Sequence, residues 1–379
     1  MQVELVETFE GLVELAPAWS ELLQHAQGGL DVFRSPEWVL PWWRHIGGDS
    51  RIHCLVVREE GRLAGLAPLA VAREGGAAVL RFMGDPLNDY NGFVLRRGCE
   101  ALAARAIFRH LAGNAAAWDR IEFDCILQPE VAVGIADAAG AGGLTSVPLT
   151  PPPTVLLPLP REWDTYRTGP VTGRRTLERK ERKLRREAET EFRVCRDPVS
   201  AAAVVPELER LRLANWRAFG FAASRDALLF GESFSAFLKE ASPLLAEAGR
   251  LRVGVIEGRD GVLAAGLYLA GDGVLMKYMQ GWDHTDPASS VGLILDWLMI
   301  RHAIENGLEW FDFGRGDEAY KFRLGGRAHD LVGYQLFPTS LRGRLGWTRA
   351  AALHSARLLK RRLARSAPDP VSRSAPDAA

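Results

Sequence analysis

The sequence predicts a mixed α/β (α+β) fold made of two copies of one αβ unit. Three observations predict it. Strand-like and helix-like periodicities alternate along the chain. One order of elements, hairpin–strand–helix–strand, occurs twice. Six prolines between Pro148 and Pro160 separate the two occurrences. Bulk composition agrees: 379 residues are long for one domain, and 47% hydrophobic with 25% charged residues is globular, which excludes disorder of the whole. Lys+Arg and Asp+Glu both number 47, which disfavours a dedicated nucleic-acid binder with a large basic excess.

Taken in order, residues 52–57 read as a strand, 59–61 as a turn and 63–71 as the hairpin partner; 79–83 is a further short strand. Residues 100–111 place Leu102, Ala106, Ile107 and Leu111 at helical spacing and stop at Gly113-Asn114. Residues 120–127 run apolar like a buried strand, and 139–143 are small and flexible. After the prolines, 251–257 and 262–270 form a second hairpin, followed by a strand at 274–280, a helix at 289–306 and a strand at 308–313. The hairpins align as Gly61-Arg62-Leu63-Ala64 with Gly261-Val262-Leu263-Ala264, and the helices carry Arg109-His110 and Arg301-His302. Ile121-Glu122-Phe123 and Phe311-Asp312-Phe313 follow. Domain limits expected on this reading are 1–147, a crossing at 148–160, 161–338, a basic amphipathic helix at 339–365 and a disordered tail at 366–379.

Two segments carry concentrated charge. Residues 174–186 hold eight Lys/Arg and two Glu at the spacing of an exposed helix, with Glu178 placed to pair with Arg182. Residues 331–368 hold eight Lys/Arg and no acid. Within them Leu345, Trp347, Ala351, Leu353, Leu358, Leu359 and Leu363 form an apolar component beside Arg349, Arg357, Lys360, Arg361, Arg362 and Arg365.

Several chemistries are excluded by motif. The four cysteines, Cys54, Cys99, Cys125 and Cys195, form no C-x-x-C, so neither zinc ribbon nor disulfide scaffold is expected, and no metal site is. There is no H-E-x-x-H, no G-x-S-x-G and no P-loop. Matches to R-x-x-G-x-A at 62–67 and 323–328 are discarded as chance in a Gly-, Ala- and Arg-rich chain. The first twelve residues carry three glutamates and no basic residue, unlike a signal peptide, and no run of 18 apolar residues occurs. A cytoplasmic protein is expected.

The second helix start offers a positive signal. Ser289 or Ser290 can cap it, Val291 follows, and Gly292 lets a ligand approach the backbone; free N–H groups and the helix dipole there suit a pyrophosphate. The alternative is a capped core helix. Asp89 and Tyr90 lie in a Gly/Pro/Asn loop that reads equally as a binding loop or as an Asx-turn with a packed ring. Trp38, Trp42 and Trp43 are spaced for one helix face and favour core packing.

The chain resembles the CelD-like acyltransferases, associated with cellulose biosynthesis, of the GNAT superfamily, which are related to FemAB-type transferases. The resemblance spans roughly residues 1–335 and is carried by Phe33-Arg34-Ser35-Pro36-Glu37-Trp38, Ala67-Pro68-Leu69, Asp89-Tyr90-Asn91-Gly92, the basic helix, Trp216, Asp312-Phe313-Gly314-Arg315-Gly316 and Tyr320-Lys321-Phe322. It implies tandem GNAT-like domains moving an acyl group from a thioester, acyl-CoA with acetyl-CoA the simplest, to an amine of a small molecule or saccharide. Where the family shows Ser-Pro-Gly, this chain has Ser289-Ser290-Val291-Gly292. On that arrangement the donor carbonyl meets a backbone N–H near Tyr278–Gln280. Asp312 is a candidate base or orienter, Tyr320 the acid for the thiolate, and Arg315 and Lys321 anchors for an anion. Each also has a bland reading: turn cap, packed ring or solvated charge. Alternatives are a FemAB-like ligase using aminoacyl-tRNA, for which the basic helix is an electrostatic funnel, and a non-catalytic GNAT-fold subunit of a polysaccharide-synthesis system. The basic C-terminal helix is expected at an anionic membrane surface or docked on its own domain.

Overall fold

The computed structural model describes residues 1–26, 30–48, 50–126, 129–140, 143–169, 171–219, 231–285 and 290–366. The first half holds β1 (Gln2–Val6), α1 (Phe9–Gln24), α2 (Pro36–His45), β2 (Arg51–Ile52), β3 (Cys54–Glu59), β4 (Arg62–Ala67), β5 (Leu69–Glu74), β6 (Ala77–Phe82), β7 (Val94–Leu95), α3 (Glu100–Gly113), β8 (Arg120–Ile126), α4 (Pro129–Gly140) and β9 (Leu144–Leu149). The second holds β10 (Thr154–Pro158), α5 (Trp163–Thr168), α6 (Arg174–Glu187), β11 (Glu191–Cys195), α7 (Pro198–Phe219), α8 (Glu232–Glu247), β12 (Leu251–Gly258), β13 (Gly261–Gly271), β14 (Val274–Trp282), α9 (Val291–Glu305), β15 (Trp310–Arg315), α10 (Ala319–Arg323), β16 (Arg327–His329), β17 (Val332–Pro338) and α11 (Leu341–Ser366).

The repeated order is present in both halves. Hairpin, strand, helix and strand run as β3 to β8 and again as β12 to β15, and in each the third strand lies parallel to the last. The second half forms one sheet, β11-β12-β13-β14-β15-β10-β16. The first divides into β1-β3-β4-β7 and β2-β5-β6-β8-β17-β9. The hairpin partner expected as one strand at 63–71 is broken at Pro68, which has no N–H for a ladder; β4 and β5 therefore enter different sheets.

The expected domain limits change in two places. The proline-rich crossing contains β10, which lies between β15 and β16. Strand β17, inside the limit drawn at 338, returns to the first half and pairs with β8 and β9. Side-chain alternation places Leu336 in the core beside Ile121 and Phe123, which explains the return. Residues 367–379 lie outside the described residues.

Helix α3 buries Ala103, Ala104, Ile107, Phe108 and Leu111, whereas Leu102 is exposed. Glu178 accepts from Arg167 at 3.4 Å, while the Arg182 guanidinium donates to the Glu178 carbonyl, so the expected side-chain pair between them is replaced. Trp38 and Trp42 are buried as expected. Trp38 joins the halves, edge-on to Phe237 at 4.9 Å and to Tyr278 at 5.1 Å.

Candidate active site

Strands β14 and β15 pair only from Val274–Trp310 to Met276–Asp312, and then diverge. Beyond the fork β14 stays bonded to β13, but its register slips so that Tyr268 faces Lys277 and Leu267 faces Met279. Tyr278 is the extra residue of a β-bulge, which turns backbone groups out of the ladder. On the other side β15 turns at its penultimate residue, Gly314, at φ +72°, where a Cβ would stand 2.9 Å from Asp89 Oδ2; only glycine fits this turn. Between the diverging strands lies a cleft of about 590 Å³.

Most of the expected site residues meet here. Asp89 comes from the first half, Tyr278 and Gln280 from β14, and Ser290 and Gly292 from the start of α9. Arg315, Tyr320 and Lys321 close the far wall. Asp312 and Tyr90 lie behind that wall, outside the cleft lining; Val291 is buried at the first turn of α9, and Ser289 lies outside the described residues.

The helix start differs from a simple cap. Ser290 adopts a left-handed conformation and its hydroxyl makes no capping bond. Instead Lys180 of the basic helix α6 donates to Ser290 Oγ at 2.6 Å. The first bonds of α9 run from the N–H groups of Leu293 and Ile294 to the Ser290 carbonyl, so those of Val291 and Gly292 precede the ladder. Gln280 Nε2 donates to the Gly292 carbonyl at 2.8 Å and ties strand to helix. A positive dipole end thus has an ammonium above it.

The first half has the same fork but not the same opening. Strands β6 and β8 are parallel over Val79–Arg120 and Leu80–Ile121 only. The space beyond is filled by the chain's own loop. Asn91 N–H donates to the Cys125 carbonyl at 3.0 Å and its amide to the Asp124 carbonyl at 3.1 Å. Asn88 bonds Asn91, the Met83 carbonyl and Trp38 Nε1. Glu100 sits in the first turn of α3, which is unfavourable to an anion. The same loop carries Asp89 and Tyr90 toward the second fork.

Several charges in the cleft are paired. Arg315 Nε donates to Asp89 Oδ1 at 3.0 Å and Nη1 to Cys125 Sγ at 2.8 Å, while Nη2 is buried without a partner among the described residues. Lys321, 2% exposed, is not the solvated or substrate-facing charge expected. Its ammonium donates to the carbonyls of Gly314, Arg315 and Gly316 at 2.7–3.2 Å and to Glu318, so it holds the end of β15. Asp312 accepts from Tyr90 at 2.6 Å, from the Gly314 N–H at 2.7 Å and from Thr154 at 3.2 Å; burial nevertheless pushes its carboxyl up to about 6. Burial, with the Asp296 and Glu318 charges, raises the Tyr320 phenol well above the usual tyrosine range and keeps it protonated.

Sequence reasoning missed Lys277 and Asp296. Lys277 Nζ donates to Asp296 Oδ2 at 2.8 Å and stands 3.5 Å from Tyr320 Oη. A signal existed: one lysine interrupts the apolar strand Val-Leu-Met-Lys, and one aspartate the apolar helix Leu-Ile-Leu-Asp-Trp-Leu. Two solitary opposite charges in buried elements call for each other. Among the described residues no His, Cys, Asp and Glu group is arranged to hold a metal ion, and no helix is long and apolar enough to cross a membrane.

Residues 172–322 match the family described as acetyltransferase (GNAT) domain, a stretch that contains the fork, the helix start and Tyr320. No curated protein matches the chain. Among solved structures it is similar to FemX, with TM-score 0.59 and 12% identity over 92% of this chain and 100% of that one. It is also similar to the C-terminal domain of an Agrobacterium fabrum chain assigned as a lysylphosphatidylglycerol synthetase, with TM-score 0.54 and 15% identity over 92% and 97%. A Bacteroides thetaiotaomicron protein of unknown function aligns with TM-score 0.55 and 9% identity over 89% and 100%. At such identities the likeness is one of fold: a GNAT-type acyltransferase fold, here in tandem and related to the FemX arrangement.

Proposed function

We infer that the protein is an N-acyltransferase that moves an acyl group from acyl-CoA, acetyl-CoA in the simplest case, to an amine of a small molecule or saccharide. The observation that carries this reading is one cleft that joins a strand bulge, an open helix start under a lysine and a protonated tyrosine.

The donor pyrophosphate lies at the Val291 and Gly292 N–H groups, with Lys180 beside it. The thioester then runs along β14, and its carbonyl takes a backbone N–H at the bulge, near Tyr278–Gln280. The amine attacks that carbonyl and loses its proton to water in the cleft; the C–N bond forms, the C–S bond breaks, and Tyr320 gives its proton to the sulfur. Arg315, which lines the cleft beside Asp89, lends its positive charge to an acceptor oxygen. Asp312 acts at one remove, by fixing the Gly314 turn and Tyr90. Lys321 holds the same turn.

The CelD-like resemblance supports an acceptor among polysaccharide or envelope precursors, and the basic amphipathic character of α11 supports contact with an anionic membrane surface. A second reading, an aminoacyl-tRNA-dependent ligase, is favoured by the exposed basic face of α6 and by the FemX-like fold. Calorimetry with a panel of acyl-CoAs and with aminoacyl-tRNA tests both. Micromolar binding of an acyl-CoA is expected; tight tRNA binding with no acyl-CoA binding moves the assignment to the ligase, and binding of neither to a non-catalytic subunit.

A further inference from the structure

We propose that Lys277 is a positioning residue for the acid step: anchored by Asp296, its ammonium holds the Tyr320 phenol in place and stabilises the phenolate formed as the proton passes to the departing sulfur. The proposal rests on the transferase reading above and extends it to residues outside the motifs that carry the CelD-like resemblance.

Lys277 is the first residue of β14 beyond its last partner on β15, so it stands at the fork itself. Its Nζ lies 2.8 Å from Asp296 Oδ2, 3.5 Å from Tyr320 Oη and 4.9 Å from the centre of the Tyr320 ring. Asp296 is 2% exposed in side chain and also takes the Tyr268 hydroxyl at 3.5 Å. A buried ion pair is a poor way to join a strand to a helix. Apolar residues of equal volume generally serve as well or better, and β14 and α9 are apolar on either side of this pair. What the pair adds is a fixed cation against one phenol. Tyr320 needs it, because burial and the neighbouring acids oppose phenolate formation and so weaken Tyr320 as an acid.

As the C–N bond forms, the amine nitrogen loses its proton to water at the cleft mouth, which balances the proton delivered to sulfur. The Tyr320 O–H proton goes to sulfur as the C–S bond breaks. The phenolate takes a proton from the Lys277 ammonium. The lysine amine recovers it from water at the cleft mouth, which its side chain, 12% exposed, can reach.

The test compares leaving groups. Thiol release is measured with hydroxylamine as surrogate acceptor, from acetyl-CoA and from the acetyl ester of thionitrobenzoate, whose acidic thiol departs without an acid. Lys277→Met strands Asp296, so the double variant Lys277→Met/Asp296→Leu is measured beside it. Acetyl-CoA affinity by calorimetry should stay within about twofold of wild type. The rate with acetyl-CoA should fall about 100-fold, within the range for loss of acid assistance, and with the activated ester by no more than about fivefold. Lys277→Arg should restore most of the rate. Equal losses on the two esters, or no loss, overturn the role. A wild type that turns over neither ester overturns the transferase reading and this role with it, a failure seen without any variant.

Discussion

Asp312 and Tyr320 lie eight positions apart yet meet different surroundings, and their predicted variants differ accordingly. Tyr320 borders the cleft, so Tyr320→Phe should lower kcat about 10²–10⁴-fold with donor affinity unchanged; steady-state rates beside calorimetry check this, and unchanged kcat removes Tyr320 from the mechanism. Asp312 is buried behind the wall, and its variant should speak chiefly through stability. Its carboxyl sits near 6 in the fold against 3.8 in the unfolded chain. The folded state thus binds the proton more tightly. The favourable contribution is full below pH 4 and is lost as pH rises through 6. Above that, the buried carboxylate costs up to roughly 3 kcal/mol, since each unit of pKa difference is worth 1.36 kcal/mol. Asp312→Asn should therefore raise the melting temperature at pH 7.5 relative to wild type and give little or no gain at pH 4.5. A gain independent of pH would show that Asp312 does not carry the linkage. Asp85, also pushed up to about 6 by burial, adds a term of the same sign that the variant leaves in place.

At the scale of elements, what the sequence displayed was whatever followed one period cleanly. The second hairpin, β14, α6 and α9 were legible because their apolar residues alternate or recur at helical spacing with turn residues at the ends. Helices α1 and α8 were not, and each carries an internal proline, Pro17 and Pro243, that reads locally as a break. The helix start of α9 was legible as a place but not as a geometry. The serine looked like a cap; the structure gives Ser290 to Lys180, 110 positions earlier. On the proposed function this contact makes the charged helix part of the donor site, and a prediction follows. Lys180→Glu should weaken acyl-CoA binding about tenfold, equivalent to 1.4 kcal/mol, at low salt. The deficit should shrink at about 0.5 M salt, where the Debye length is only a few ångströms. Titrations at both salt concentrations decide it; an equal affinity at low salt would take α6 out of the donor site.

The whole molecule joins its halves through polar contacts that no local pattern announces: Asp89 with Arg315, Tyr90 with Asp312, Arg315 with Cys125. The duplication was legible in the order of elements, but the exchange of β17 into the first sheet was not, because strand pairing across 200 residues leaves no periodic trace. The same return fixes where α11 starts. Strand β17 delivers it to the first sheet, where Gly346 approaches the Phe337 ring and Trp347 Nε1 donates to the Ser146 carbonyl at 3.1 Å. Docking therefore uses the first turns of the helix. Leu341, Leu345, Leu353 and Leu359 remain more than half exposed. At 100° per residue, Leu341, Leu345 and Leu359 fall within about 40° of one another. An exposed leucine stripe on a helix with basic residues and no acid fits the surface of an anionic bilayer, where each basic residue near the headgroups contributes up to about 1 kcal/mol. Full-length protein should co-sediment with phosphatidylglycerol vesicles at about 50 mM salt, where surface attraction is weakly screened. A chain ending at Ala350 keeps the Gly346 and Trp347 contacts, and should stay in the supernatant with an unchanged melting temperature. Full-length protein that ignores the vesicles would sink the membrane role. A shortened chain that melts lower would instead assign the outer turns of α11 to the fold, because only a helix that stabilises its own domain costs stability when removed.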